Sequence, residues 1–286
     1  MQGNRAARTC SAGRGIVEES TDGRLVELVE LSGNCVLITG GATGIGFCLA
    51  EELLGRGNEV IICGRREDRL REARRRHRRL ITYVCDVTSE IARKALVGWA
   101  TSEFPELNIL VNNAGIRIPA DFARGGQSAA DIVSEIDVNL IAPIALSALL
   151  IPHLKKKDRA AIINVSSGLA FVPLASVPVY SATKAGLHSF TLSLRHQLRK
   201  SNVRVIEIIP PTVDTELNRA RHDGGTRRGR SSRPAGGFGI SPEDAARIAV
   251  VGVERGDEEI LIPPAESLVE ESRENPVDAF RHLNEE

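Results

Sequence analysis

Cys35-Val36-Leu37-Ile38-Thr39-Gly40-Gly41-Ala42-Thr43-Gly44-Ile45-Gly46 is the stretch on which the fold turns. Cys35–Thr39 is an unbroken apolar run that reads as a strand, and Ile45–Arg56 carries a helical pattern. Between them, Gly40, Gly44 and Gly46 permit a tight turn, close approach of backbone to a pyrophosphate and close helix–sheet contact. The N-terminus of the following helix favours anionic phosphates. Glycines alone say little, but the strand before them and the helix after them are the context that a dinucleotide-binding turn requires.

Outward from this unit the same alternation repeats. Glu59–Cys63 is followed by a helix over Glu67–His77, Ile81–Cys85 by Ile91–Phe104, and Ile109–Asn112 by a long helix from Ala130 to Lys156. Ala161–Val165 precedes a helix that carries Tyr180 and runs to Lys200; Arg204–Ile208 leads through a loop to Pro242–Arg255, and Glu259–Ile262 closes the series. Strands this apolar on both faces, separated by helices, imply one doubly wound α/β domain with a mostly parallel seven-stranded sheet. The polar, Gly-rich stretch 212–239 breaks the rhythm and is expected to be a mobile loop over the carboxyl ends of the strands, where substrates bind in such sheets. Residues 1–32 read as a flexible extension with one helical turn at Leu25–Leu31, residues 33–263 as the domain, and residues 264–286 as a C-terminal tail.

Composition narrows the function. The chain has 286 residues, 42% of them hydrophobic, enough for a large buried core. Its 37 Lys and Arg balance 37 Asp and Glu, so neither nucleic acid nor an anionic membrane is an expected partner. The longest apolar run, Val138–Ile151, is too short for a span and contains Asn139 and Pro143. Five cysteines without C-x-x-C spacing fit neither a disulfide framework nor a zinc site, and no metal is expected. Reduced thiols within strands, and a start without an apolar leader core, point to the cytoplasm.

A second constellation lies in Ser166-Ser167 through Lys184. Tyr180 and Lys184, four apart, share one face of a helix, and Ser167 lies just beyond the strand Ala161–Val165. A phenol with a neighbouring ammonium is a tuned proton donor, because the ammonium stabilises phenolate, and the Ser167 hydroxyl can hold the same substrate oxygen. Taken alone, a Tyr and a Lys so spaced are an ordinary helix-face pair, and Ser166 competes with Ser167. The cofactor's nucleotide is chosen at the end of the second strand. An NAD site usually places a carboxylate there, whereas this chain has Arg65 and Arg66, which suit a 2′-phosphate and favour NADP(H). Arg65 is the favoured contact, and Arg66 has a competing reading as a solvated helix start.

With these residues assembled, the region from Gly33 to Ile262 resembles the short-chain dehydrogenase/reductase family, and its wording is closer still to the DltE-like bacterial oxidoreductase subgroup. Thr39 to Gly46 matches the family's TGxxxGxG turn, Asn112-Asn113-Ala114-Gly115 its NNAG segment, and Ser167, Tyr180 and Lys184 its catalytic residues. The resemblance implies a Rossmann-type fold and makes Asn139 the fourth member of a catalytic tetrad, holding a water near the lysine. It implies cofactor contacts along Gly40, Thr43, Gly44, Ile45 and Gly46, with Asp86 and Val87 near the adenine ring. Asn113, Ala114 and Gly115 then line the ribose, Tyr180 and Lys184 also touch the cofactor, and Val213 and Thr215 neighbour the carboxamide. Pro211 stands where the family has Gly. Asp86 has a competing reading as a helix cap, a role for which Thr88 is the better candidate. Asn112 is expected to brace the sheet, and His188 and His196 to serve packing or an interface.

The expected activity is NADP(H)-dependent interconversion of a small carbonyl compound and an alcohol. Two alternatives compete: a catalytically silent nucleotide-binding regulator or scaffold, and a redox epimerase or dehydratase acting on a sugar nucleotide. The long helix and the Tyr180 helix carry more apolar residues than one core-facing stripe can use, so a homodimer or homotetramer is expected.

Overall fold

The computed structural model describes residues 17–19, 25–27, 30–215, 217 and 239–285. Two short strands, β1 (Val17–Glu19) and β2 (Leu25–Glu27), pair antiparallel. A strand thus stands where a helical turn was expected; most of the expected mobile loop lies outside the described residues.

The body follows the alternation read from the sequence. Its elements are β3 (Cys35–Thr39), α1 (Gly44–Gly55), β4 (Glu59–Gly64), α2 (Glu67–Arg76), β5 (Ile81–Val84), α3 (Glu90–Glu103) and β6 (Leu107–Asn112). Then come α4 (Ala129–Ile136), a π-helical turn (Asp137–Ile141), α5 (Ala142–Leu154), β7 (Ala160–Val165), α6 (Pro178–Leu198), β8 (Val203–Ile209), α7 (Pro242–Arg255) and β9 (Glu259–Leu261). The seven strands form one sheet in the order β5-β4-β3-β6-β7-β8-β9, and every neighbouring pair is parallel. Strand order reverses between β3 and β6, which opens the crevice at their carboxyl ends that ligands use in such sheets.

Side-chain alternation along each strand divides the core in two. Val36, Ile38, Val60, Ile62, Ile109 and Val111 face α1, α2 and α7, while Leu37, Ile61, Leu110 and Ile162 face α3, α5 and α6. Helix starts are set locally: Ser89, Ser128 and Ser241 each accept a backbone N–H of the first turn, capping α3, α4 and α7. Ser89, not Thr88, is therefore the cap of α3. Asn34, Asn58 and Asn108 interlock at the N-terminal edge, where Asn58 Oδ1 accepts from Asn34 N (3.0 Å) and Asn108 Oδ1 from Cys35 N (3.0 Å). These buried side chains satisfy strand-end backbone groups that water cannot reach.

The segment Ala129–Leu154 is long and apolar enough to cross a bilayer by composition alone. Here Leu146, Leu150 and Leu154 are sunk into the core, and the segment holds the buried polar residues Glu135, Asn139 and Ser147. Residues beyond β9 are helical: α8 (Ala265–Glu274) and α9 (Pro276–Glu285) fold back over the chain segment that follows β7. Val269 and Ala265 pack there with Ile209 and Phe171.

Candidate active site

The turn after β3 is shaped by its glycines and by the segment after β6. Gly40 and Gly44 have φ of +66° and +58°, a region in which a side chain would be strained. A Cβ on Gly46 would lie 2.3 Å from Asn113 Nδ2 and 2.7 Å from the Gly40 carbonyl. Thr39 Oγ1 accepts from the N–H groups of both Asn113 and Ala114 (3.0 Å each), and Asn113 Nδ2 donates to Thr39 O (3.0 Å). The sequence reading missed Thr39 as this fastener, although it opens the motif.

The turn fits a dinucleotide. The N-cap Thr43 makes no side-chain capping bond, and the first turn of α1 carries no acid, so its N–H groups and dipole face outward for an anion. Arg65 and Arg66 are exposed at the end of β4, and Arg66 reaches Thr43 Oγ1 at 3.4 Å, which puts a guanidinium beside the turn. Asp86 Oδ1 accepts from Thr88 N (3.0 Å) and Thr88 Oγ1 (2.9 Å), which folds the loop after β5, and Val87 beside it is buried. Val213 bridges to Ile240, and Thr215, whose N–H donates to Val213 O (2.8 Å), packs toward Gly44.

Ser167 follows β7 in extended backbone and faces the Tyr180 phenol; Ser166 Oγ instead turns to the Ile208 carbonyl (3.4 Å). Tyr180 and Lys184 project from α6 and are both buried. Lys184 Nζ donates to Val165 O (2.8 Å) and lies 5.7 Å from the centroid of the Tyr180 ring. Burial pushes the Tyr180 phenol up to about 12, against a lowering by the Ser167 hydrogen bond and the Arg117 charge. Burial lowers Lys184 to about 8, opposed by Glu207 on β8. The expected depression of the phenol by the ammonium is therefore overturned in the chain by itself, since desolvation dominates.

Asn139 sits in the π turn, whose extra residue swings its side chain away from the helix ladder. Its Oδ1 accepts from Ile116 N (2.9 Å), and its Nδ2 donates to Ile116 O (2.8 Å) and Thr183 Oγ1 (3.1 Å). Gly115 is held beside it: a Cβ there would lie 3.5 Å from Asn139 Oδ1 and 3.9 Å from Lys184 Nζ. Asn112 braces the sheet, donating to Asn164 Oδ1 (2.9 Å) and Ser147 Oγ (3.2 Å). His188 pairs with the buried Glu207 at 2.9 Å, a partner that raises its pKa. Glu207 escaped the sequence reading, and its only signal was a carboxylate inside the apolar run of β8.

Helices α8 and α9 wall the segment after Ser167. Ala265 and Leu268 close on Gly168, and Asn284 accepts from Ala175 N (2.6 Å) and donates to Pro173 O (3.1 Å). Of the residues that could line a pocket between Ser167 and Tyr180, Val172 and Val177 are buried in packing, Phe171 lies against His188 (4.5 Å between ring centroids), and Leu169 stays partly exposed.

Residues 34–225 match the family model described as short chain dehydrogenase. The chain is 47% identical over 256 residues to the uncharacterized oxidoreductase DltE of Bacillus subtilis, covering 90% of this chain and 98% of the relative. It is 32% identical over 191 residues to the NADP-dependent 3-hydroxy acid dehydrogenase YdfG of Salmonella typhi, covering 66% of this chain and 77% of that one. Among solved structures, a short chain dehydrogenase of Burkholderia cenocepacia in complex with NADP matches with a TM-score of 0.72 and 25% identity, over 89% of this chain and 99% of that one. Other neighbours of the fold hold NAD.

Proposed function

The chain belongs to the short-chain dehydrogenase family and is an alcohol/carbonyl oxidoreductase of that family, and on this premise we propose that it reduces a small carbonyl compound with NADP(H), Tyr180 donating the proton. The observation that carries the proposal is a buried Tyr180 phenol facing Ser167, with Lys184 one helical turn on. When bound, the nicotinamide supplies the hydride. The turn Gly40–Gly46 with the N-terminus of α1 would hold the pyrophosphate, Arg65 and Arg66 the 2′-phosphate, Asp86 and Val87 the adenine, and Asn113 to Gly115, Val213 and Thr215 the nicotinamide half. The named dependence of YdfG on NADP supports the same nucleotide.

At neutral pH a phenol raised to about 12 is protonated, and so is set to give a proton to an oxygen that is gaining negative charge. Ser167 Oγ steadies that oxygen. Lys184, lowered to about 8, is largely an ammonium at neutral pH and can stabilise the phenolate left behind. Asn139 acts at one remove, tying Ile116 to Thr183, the residue that precedes Lys184. The exposed apolar residues Val133 and Ile141, in the segment from α4 to α5, and Leu192 on α6 support a homodimer or homotetramer built on these helices. The buried Lys184, Glu135 and Glu207 around the reacting groups are costly for a mere scaffold, which has no use for them.

A panel of aldehydes, ketones and oxoacids assayed by loss of NADPH absorbance tests the reading. Turnover of at least one carbonyl class, faster with NADPH than with NADH, is expected. Tight nucleotide binding with no turnover of any carbonyl compound would instead favour the silent regulator.

A further inference from the structure

Beyond Gly115, residues 116–121 form a strap without helix or strand that starts against Asn139 of the candidate site and is clamped at alternate residues. Ile116 N–H and C=O are both bonded to Asn139, in the π turn. Ile118 N–H donates to Glu135 Oε1 (3.1 Å), and Ile118 C=O accepts from Gln127 Nε2 (2.9 Å), which also donates to Glu135 Oε2 (3.1 Å). Further on, Ala120 N donates to Ser176 O (2.9 Å), tying the strap to the loop that precedes the Tyr180 helix. Four bonds therefore hold Ile116 and Ile118, the residues flanking Arg117, while Arg117 itself is partly exposed.

This expenditure of polar groups needs a reason. Glu135 is wholly buried, and its desolvation raises its pKa; the cost of a carboxylate there is offset by the bonds with which it holds the strap and Gln127. Its oxygens accept from Ile118 and Gln127, and the Arg117 charge lowers its carboxyl from nearby without an ion pair between the two. Among the described residues no carboxylate lies within salt-bridge distance of Arg117. Its charge nevertheless reaches the reacting group, being one of the influences that lower the Tyr180 phenol.

We propose that Arg117 is the substrate-anchoring residue of this site and that the natural substrate is an oxoacid, a carbonyl compound carrying a carboxylate that the guanidinium binds while the carbonyl oxygen meets Tyr180 and Ser167. The proposal rests on the reductase reading above and deepens it. A guanidinium presents paired N–H donors that match a carboxylate, and a partly desolvated setting strengthens the contact. One fixed cation suits a monoanion. The reaction balances as a reduction: hydride adds to the carbonyl carbon, the proton from Tyr180 goes to the oxygen, and the carboxylate is unchanged.

The test compares acetoacetate with methyl acetoacetate, which differ in the charge, using wild type, Arg117→Gln and Arg117→Lys. Wild type is expected to favour the acid in kcat/KM. Arg117→Gln should lower the acid-to-ester ratio by about 10- to 100-fold, mainly through KM for the acid, and Arg117→Lys should restore part of it. General damage to the fold would lower both substrates together and leave the ratio unchanged, and that result would overturn the proposal. A second measurement does not depend on turnover: calorimetry of butyrate and butyramide binding to the enzyme with NADP+. Butyrate binding in wild type, lost in Arg117→Gln and not shared by butyramide, supports the anchor. If butyrate binds equally to wild type and Arg117→Gln, or to neither, the proposal fails whatever the kinetics. Arg117-dependent butyrate binding with no carbonyl reduced would overturn the reductase reading and leave the anion site standing.

Discussion

Replacing Lys184 with Met should separate what the lysine does for function from what it costs in stability. In the folded chain its pKa falls from 10.5 to about 8 because burial disfavours the ammonium. Below the folded value, the native state must carry a charge that the unfolded chain solvates freely, a penalty of ~3 kcal/mol for a shift of this size. That figure already contains the bond to Val165 O, a carbonyl that Met would leave without this donor at a cost of about 1–3 kcal/mol. Near neutral pH the two effects oppose each other, so Lys184→Met should lie within about 2 kcal/mol of wild type while losing activity. The pH dependence is sharper. Between the folded value of about 8 and the unfolded 10.5 the unfolded chain binds more protons, so the wild type gains stability as pH rises through this window. The variant lacks that gain. Urea unfolding of the nucleotide-free proteins should show the difference, wild type minus variant, rising by about 2 kcal/mol between about pH 7 and about pH 9.5. A difference that stays flat within ~0.5 kcal/mol would refute the claim that burial sets the lysine's protonation.

Four further outcomes are expected. Tyr180→Phe keeps the buried ring but removes the transferable proton, so kcat should fall by roughly 10²–10⁴-fold with nucleotide affinity retained; turnover near wild type would exclude the role. Arg65→Ala should weaken NADPH binding by about 1.5–3 kcal/mol and leave NADH nearly untouched, whereas equal loss for both would make Arg65 structural. Gly46→Ala forces a methyl into Asn113 Nδ2 and the Gly40 carbonyl, so Tm should drop and NADP+ binding should weaken together, the cost being about 1–3 kcal/mol; unchanged nucleotide titrations would count against the turn as the cofactor seat. Light scattering at micromolar concentration should give a mass at least twice the chain's 30.9 kDa, and an active monomer would defeat the assembly proposal.

The order of strands and helices, the two-sided burial of the sheet and the glycine turn were all determined by local pattern. An apolar run such as Val36–Ile38 or Ile61–Cys63 has few ways to hide both faces, and Gly40 and Gly44 mark backbone that other residues resist. The Tyr180 and Lys184 pair was legible for the same reason, because helical spacing is a local property. What only the tertiary structure decided are the long-range meetings. Asn139 reaches Ile116 through a π turn that helical periodicity does not announce, and Glu135 and Gln127 clamp the strap that carries Arg117. The residues after β9, read as a tail, became two helices that wall the site through Ala265 and Asn284, far from Gly168 and Ala175 in the chain. Tyr180's proton affinity likewise followed from burial rather than from its neighbour four residues on, since desolvation is summed over everything packed around a group.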